Sequence, residues 1–256
     1  DSQDYRYFIQ IGLGEKYISA IGPSGPNHEP YFGPLCAITE WESFKQFAPR
    51  HQILLAFAVA GPGGQNIWDA ERLLEDIDEQ TLEEYAPLVK MISIYGNFHS
   101  YQYDEVYKGA DELLAMEITA PFYLPYIYDL AYEYEMFYFA GYRAEQAMID
   151  RAVQLYDKAY ALAAAESPYL QGYILKEKGR SLYYAKRYRD AIDTLLLGLS
   201  LKDEPVFYMF LSLSYYALGD LESGAAWEAK VRALFAENER ILGEFEQLLH
   251  EVKVDN

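Results

Sequence analysis

The distribution of apolar and polar residues at the start of the chain differs from that in the rest. Residues 5–11 and 17–21 are short segments rich in aromatic and β-branched residues, and the segment 12–16 between them contains two glycines. Because such segments around a glycine-bearing turn are typical of paired strands, they predict a β-hairpin. Residues 22–30 combine three prolines with two glycines and predict a loop. We therefore expect a small β-hairpin or irregular lead over residues 1–35.

The remainder of the chain, residues 36–256, is predicted to be one helical domain. Thr81 and Glu84 form a capping-box pair, in which each side chain can bond the other residue's backbone amide, and this marks a helix start. Pro168 follows a serine and Pro205 follows an acidic residue, as is usual for prolines in a first helical turn. The predicted helices lie near 39–48, 50–60, 66–78, 81–97, 101–116, 121–140, 144–165, 168–185, 188–201, 205–218, 221–235 and 237–252.

Two stretches in the C-terminal part match each other at an offset of 33 residues. The offset relates Gly179 to Ser212 and Ala191 to Gly224, so that small residues coincide at both places. This pattern resembles the tetratricopeptide repeat, whose period is about 34 residues and whose small residues lie where two antiparallel helices approach closely. The resemblance is clear over about 168–236 and degenerate over about 94–167.

The resemblance implies an all-α superhelical array of antiparallel helical hairpins. One hairpin cannot bury its apolar face alone, so stacked neighbours supply the core and at least about three units are needed. The segment 237–252 has apolar residues at three- and four-residue spacing with polar residues between them, which fits a terminal capping helix. In this family the first helices of the hairpins line a concave groove, which holds a peptide or a partner helix.

Tyrosine is unusually frequent, with 26 residues among 256, roughly three times its ordinary share. Ten of the 21 residues in 122–142 are aromatic. A helix that is aromatic on all sides indicates burial between neighbouring helices. The hydroxyl of a buried tyrosine needs a partner, however, which favours a half-wet interface. Both interpretations stay open, and the interface hypothesis selects Tyr126, Tyr134, Phe137 and Tyr138.

The charge balance excludes some partners and suggests others. The chain has 21 Lys and Arg against 40 Asp and Glu, a formal charge of −19, which argues against binding nucleic acid or an acidic membrane surface. The basic segment 176–189 reverses this balance, because it contains six basic residues and one acidic residue, a local net charge of +5.

The resemblance places Lys176 and Arg180 of the basic segment on the groove, where they look like half of a carboxylate clamp for an acidic peptide segment. The equivalent positions of the next repeat are Met209 and Leu213, which lack the amide groups that complete such a clamp. In the alternative interpretation, basic side chains of this segment, above all Lys186, Arg187 and Arg189, pair with acidic helices of the same chain. The predicted groove surface also includes Tyr173, Tyr183 and Tyr184.

No catalytic or metal-binding motif is recognisable. The four histidines are isolated, the single cysteine has no evident partner, and the acidic run 69–84 lacks the spacing of a calcium loop. The longest apolar run, Ile53–Ala60, has eight residues, far fewer than the roughly 20 needed to cross a bilayer.

We therefore predict a non-enzymatic protein-interaction module, an adaptor or a sensor domain, without cofactor or metal. A small-molecule or glycan binder with a tyrosine-rich pocket is the alternative hypothesis, and an enzyme is the least favoured one. The compartment stays open between the cytoplasm and an exported location.

Overall fold

The structure is a computed structural model, and it describes residues 48–60, 67–139 and 145–254. The predicted β-hairpin in residues 1–35 lies outside the described residues, as does the predicted helix near 39–48 except for its last residue. The chain divides into two compact units, which end and begin at Ile118 and Thr119.

The first unit contains a set of short helices around a core of aliphatic and aromatic side chains. The described helices of this unit are α1 Pro49–Ala60, α2 Ile67–Leu74, α3 Glu79–Glu84, α4 Ala86–His99 and α5 Tyr103–Ala115. Helix α1 packs against α2 and α4, and α4 packs against α5. Ile53, Leu88 and Met91 are completely buried, and the rings of Phe57 and Tyr95 meet edge to face with centroids 5.7 Å apart.

One predicted helix start in this unit is wrong. Asp78, and not Thr81, is the N-cap of α3, because its carboxylate accepts hydrogen bonds from the backbone amide of Thr81 at 2.9 Å and from the Thr81 hydroxyl at 2.7 Å. The predicted helix near 81–97 is also divided at Tyr85. Pro87 explains the division, since a proline inside a helix has no N–H for the carbonyl four residues before it and clashes with that carbonyl.

The second unit is an array of helical hairpins. After a short 3₁₀ turn at Pro121–Tyr123, its helices are α6 Leu124–Phe139, α7 Gln146–Ala163, α8 Pro168–Tyr184, α9 Tyr188–Leu201, α10 Pro205–Ala217, α11 Leu221–Leu234 and α12 Glu239–Val254. Each hairpin pairs two consecutive helices, α6 with α7, α8 with α9 and α10 with α11. The second helices α7 and α9 also pack against the first helix of the next hairpin, and α12 packs against α10.

All regular secondary structure in the described parts of both units is helical, so the expected all-α, tetratricopeptide-like architecture is confirmed. Within these same residues, no helix is both long enough and apolar enough to pass through a membrane.

The small residues of the repeat lie where helices meet closely. A Cβ atom on Gly224 of α11 would lie 2.8 Å from Cγ of Tyr216 on α10, and the Ser212 hydroxyl donates to the Gly224 carbonyl at 2.9 Å. On Gly198 of α9, a Cβ would lie 2.5 Å from Cε1 of Phe207, in the next hairpin. Real Cβ contacts are essentially never this short, so a side chain at Gly224 or Gly198 would force its neighbour to move.

Helix α12 covers the end of the array, as the capping prediction requires. Its side chains Phe245, Leu249 and Val252 are buried in the same core as those of α10. The carboxylate of Glu228 on α11 accepts hydrogen bonds from Tyr216 at 2.7 Å, from Arg232 at 2.8 Å and from Lys253 of α12 at 3.3 Å. Burial raises the pKa of Glu228, but these donors outweigh it and hold the pKa below its usual value.

Replacing Gly198 by alanine should destabilise the second unit. Overpacking costs about 1–3 kcal/mol, while the better helix propensity of alanine returns about 1 kcal/mol. We expect the free energy of unfolding, measured by urea denaturation, to fall by about 1 kcal/mol. Gly243 on α12 is the matched control, because a Cβ there meets no atom within 4 Å. Gly243→Ala should raise stability by about 0.5–1 kcal/mol, and equal effects of the two substitutions would contradict the close approach at Gly198.

Replacing Glu228 by glutamine should make the free energy of unfolding depend less on pH in the acidic range. Because the folded pKa of Glu228 lies below its unfolded value, its contribution is present above the unfolded pKa and is lost as the pH falls through the folded one. We expect Glu228→Gln to lower the free energy of unfolding at neutral pH by at most about 1 kcal/mol, since the carboxylate is partly exposed. Denaturation curves at several pH values should show the difference disappearing in acid, and a difference that grows in acid would contradict this role.

Candidate functional site

The first helices of successive hairpins, α6, α8 and α10, contact one another side by side. Arg180 of α8 bonds Glu135 of α6, and the rings of Tyr183 on α8 and Phe210 on α10 lie 5.4 Å apart. We call the surface formed by these three helices the first-helix face. The repeat pattern predicts a binding groove on these same first helices.

A buried ion pair joins α6 to α8. Arg180 donates to one Glu135 oxygen, Oε1, from Nε at 2.9 Å and from a terminal nitrogen at 2.8 Å, and the Tyr156 hydroxyl donates to the other, Oε2, at 2.8 Å. The same guanidinium lies 3.0 Å from Oε2 of Glu177. Glu135 is fully buried, and its burial raises its pKa although Arg180 opposes the shift. Burial would lower the pKa of Arg180, but Glu177 and Glu135 raise it, so the guanidinium stays charged.

A second group of charges continues from α8 to the segment before α10. The ammonium of Lys176 is 3.1 Å from Oε1 of Glu177 and 3.4 Å from Oε2 of Glu204, and it lies 4.0 Å from the centre of the Tyr173 ring. Lys202 pairs with Glu204 and lies 3.7 Å over the ring of Tyr169. Positive and negative side chains therefore alternate along this part of the unit.

The two cations of the predicted clamp thus have carboxylate partners within the chain. Lys176 and Arg180 lie on neighbouring turns of α8, and Lys176 is buried, so a carboxylate of a partner would have to displace Glu135, Glu177 or Glu204. Elsewhere in the basic segment, Lys178 pairs with Asp157. The interpretation that Arg187 pairs within the chain is confirmed, because its guanidinium is 2.8 Å from Asp190 and 3.6 Å from Asp150. The side chains of Lys186 and Arg189 are exposed.

The predicted aromatic residues divide between the interior and the surface. Tyr126, Tyr134, Tyr173 and Tyr183 are buried, as the core interpretation requires. Burial raises the pKa of Tyr126 and of Tyr173. The side chains that remain partly accessible are Phe137, Tyr138 and Tyr184.

Aromatic side chains of α6, α8 and α10 form a row across the first-helix face, accessible on α6 and α8 and buried at Phe210 of α10. The Phe139 and Tyr184 rings meet edge to face with centroids 4.5 Å apart, Tyr138 adjoins Phe139 at 5.5 Å, and Phe210 adjoins Tyr184 at 5.8 Å. We call these four residues the aromatic row. Phe139 is 37% exposed.

Our sequence-based selection of site residues omitted Phe139 and Phe210. A signal for Phe139 exists once the ion pair is known. Phe139 and Tyr184 lie four residues after Glu135 and Arg180, respectively, and residues four apart lie one above the other on a helix. The sequence contains no sign of the pairing itself.

Metal binding finds no support in the described ranges. Within 48–60, 67–139 and 145–254, no three His, Cys, Asp or Glu side chains are grouped so that they could hold a metal ion.

Similarity to known proteins is confined to a short segment. No model of a known protein family matches the chain, and no solved structure matches it. The chain is similar to the mitochondrial import receptor subunit TOM70 of Saccharomyces cerevisiae, in the sequences of two strains, with 37% identity over 68 residues. That segment makes up 27% of this chain and 11% of TOM70. It is as long as two repeats of 34 residues, the tetratricopeptide period.

Breaking the Glu135–Arg180 pair from one side should be strongly destabilising. Arg180→Met leaves two buried carboxylates without their shared cation, and Glu135→Leu leaves the guanidinium with Glu177 alone. Removing one partner of a buried pair typically costs about 3–5 kcal/mol, whereas an apolar replacement of both is often near neutral. In urea denaturation the double variant should therefore lose less stability than the two single variants added together.

The exposed pair Arg240–Glu244, at 3.4 Å, is the control for this cycle. Arg240→Met and Glu244→Leu should each change stability by less than about 1 kcal/mol and should be nearly additive. Additive losses at Glu135 and Arg180 would show that the buried pair does not act as a unit.

Proposed function

We propose that this chain is a non-catalytic protein-interaction module of the tetratricopeptide type, and that it binds a peptide or a partner segment on the first-helix face. It would serve as an adaptor or as the sensor domain of a larger assembly. The observation that carries the proposal is the aromatic row, which runs over three successive first helices and stays partly accessible at Tyr138, Phe139 and Tyr184.

The chemistry of the row supports recognition of another chain. Aromatic side chains are enriched in protein interfaces and among the residues that contribute most to binding energy. The rings are also held in place before binding, because Phe139 and Tyr184 pack against each other and the Glu135–Arg180 pair lies one turn away on the same two helices. Rigid anchors lose little conformational freedom on binding, which favours affinity.

The similarity to TOM70 agrees with this proposal. TOM70 is named as a mitochondrial import receptor subunit, and the similar segment has the length of two repeats. The 33-residue offset and the close approaches at Gly198 and Gly224 support assignment of the second unit to the same repeat type.

The alternative of a tyrosine-lined ligand pocket has less support. A ligand that stacks on tyrosines needs their rings accessible, but Tyr126, Tyr134 and Tyr173 are buried in the described structure. The accessible rings lie along a face, which suits an extended segment.

A selection from displayed random peptides on the immobilised full chain tests the proposal. We expect binders whose affinity falls at least about tenfold when Phe139 and Tyr184 are both replaced by alanine, because loss of two aromatic anchors removes more than about 1.4 kcal/mol. Circular dichroism and the two single variants establish that the fold is retained.

The matched control replaces Leu196 and Leu197, two exposed apolar residues on the second helix α9. Their replacement by alanine should leave binding unchanged. The proposal is wrong if no peptide distinguishes the Phe139/Tyr184 variant from the Leu196/Leu197 variant.

A further inference from the structure

We infer that the segment bound on the first-helix face is basic, with positively charged side chains beside its apolar anchors. This inference rests on the proposed function and names the chemical class of the partner. It differs from the acidic partner that the basic segment of the sequence suggests.

The positive charges of this face are already compensated. Arg180 is paired with Glu135 and Glu177, Lys176 with Glu177 and Glu204, and Lys202 with Glu204. An acidic partner could gain these cations only by displacing the chain's own carboxylates. Glu135 is fully buried, so its displacement would leave a carboxylate in the interior without a cation. The face therefore offers little to a negatively charged segment.

An exposed carboxylate of α12 contributes negative charge near the aromatic row. Glu251 directly precedes Val252, which is buried in the same core as Tyr183 and Phe210, and its own side chain is exposed. Glu251 accepts a hydrogen bond from the amide of Gln247 at 3.3 Å, and no described cation pairs with it. Burial raises the pKa of Tyr184, Arg180 lowers it, and Glu135 and Glu251 raise it further.

The chain itself shows how a cation is accommodated on such rings. Ammonium groups lie over aromatic rings at Lys176 on Tyr173, Lys202 on Tyr169, Lys230 on Trp227 and Lys253 on Tyr216, at 3.7–4.3 Å from the ring centres. The accessible rings of Tyr184 and Phe139 can receive a lysine or arginine of a partner in the same way.

The overall charge acts in the same direction. With a formal charge of −19, the chain repels acidic segments and attracts basic ones during the approach of a partner. A basic segment with apolar anchors therefore fits this face best. It would meet paired cations, the unpaired carboxylate of Glu251, accessible aromatic rings and a chain of negative net charge.

The selected peptides provide the test. Among random 12-residue peptides that bind the full chain and lose affinity with the Phe139→Ala/Tyr184→Ala variant, we expect a positive mean net charge. A selected peptide should lose at least about tenfold in affinity when its Lys and Arg are replaced by Glu with the apolar residues unchanged, measured by fluorescence anisotropy. Its affinity for the wild-type chain should also fall with added salt.

Glu251→Lys should weaken binding of the same basic peptide at least about threefold. Glu237→Lys is the matched control, because Glu237 is also exposed and the substitution changes the net charge of the chain equally. If the two substitutions weaken binding equally, only the general charge of the chain acts and the role of Glu251 is overturned.

The outcomes distinguish this inference from the proposed function. Variant-sensitive peptides with a neutral or acidic mean charge would overturn the inference and leave the proposed function in place. If no peptide is sensitive to the Phe139/Tyr184 variant, the proposed function fails and the inference fails with it.

Discussion

The arrangement of the second unit depends on one buried ion pair between successive first helices. Arg180 of α8 places two N–H groups on one oxygen of Glu135 of α6, and Tyr156 of α7 donates to the other oxygen. Because both Glu135 oxygens are bonded in an interior site, α6 cannot slide along α8 without leaving a charge unpaired. Removing one partner of such a pair is costly, although replacing both by apolar side chains is often neutral. The cost of an unpaired charge thus favours this position of α6 along α8, in which Phe139 and Tyr184 meet one turn further along.

Apolar packing and the ion pair therefore have different tasks in this array. Close approaches such as that of Gly198 to Phe207 set how near the hairpins stack, and they bury the side chains that stabilise the unit. The Glu135–Arg180 bonds add a directional constraint, because they form at one position of α6 along α8, the position that brings the Phe139 and Tyr184 rings together.

Most of the helices could be predicted because their signals are local. Prolines mark first turns, small residues mark close approaches of helices, and apolar spacing marks the last helix. Each of these signals lies in the helix that it defines or within a few turns of it. The wrong prediction of a helix start at Thr81 also has a local cause, because Asp78, three residues earlier, provides the side-chain cap. The sequence allowed pairing of the basic segment within the chain but not the identity of the partners, because Glu135 and Asp157 come from other helices, 45 and 21 residues before the cations they bind. A count of charges along the sequence therefore left both interpretations of the segment open, and the fold pairs Lys176, Lys178, Arg180 and Arg187 with its own carboxylates.

The composition of the chain bears on how buried carboxylates are satisfied. With 40 acidic residues and 21 Lys and Arg, the cations cannot pair one to one with all the carboxylates. Tyrosine supplies an uncharged donor on a large apolar ring, and Tyr156, Tyr208 and Tyr216 donate to Glu135, Asp203 and Glu228. Burial and the bond to Glu228 raise the pKa of Tyr216 to about 12, so its hydroxyl keeps its proton and remains a donor at neutral pH. Tyrosine hydroxyls thus satisfy carboxylate oxygens that the cations of this acidic chain leave open, as at Glu135, where Arg180 bonds Oε1 and Tyr156 bonds Oε2.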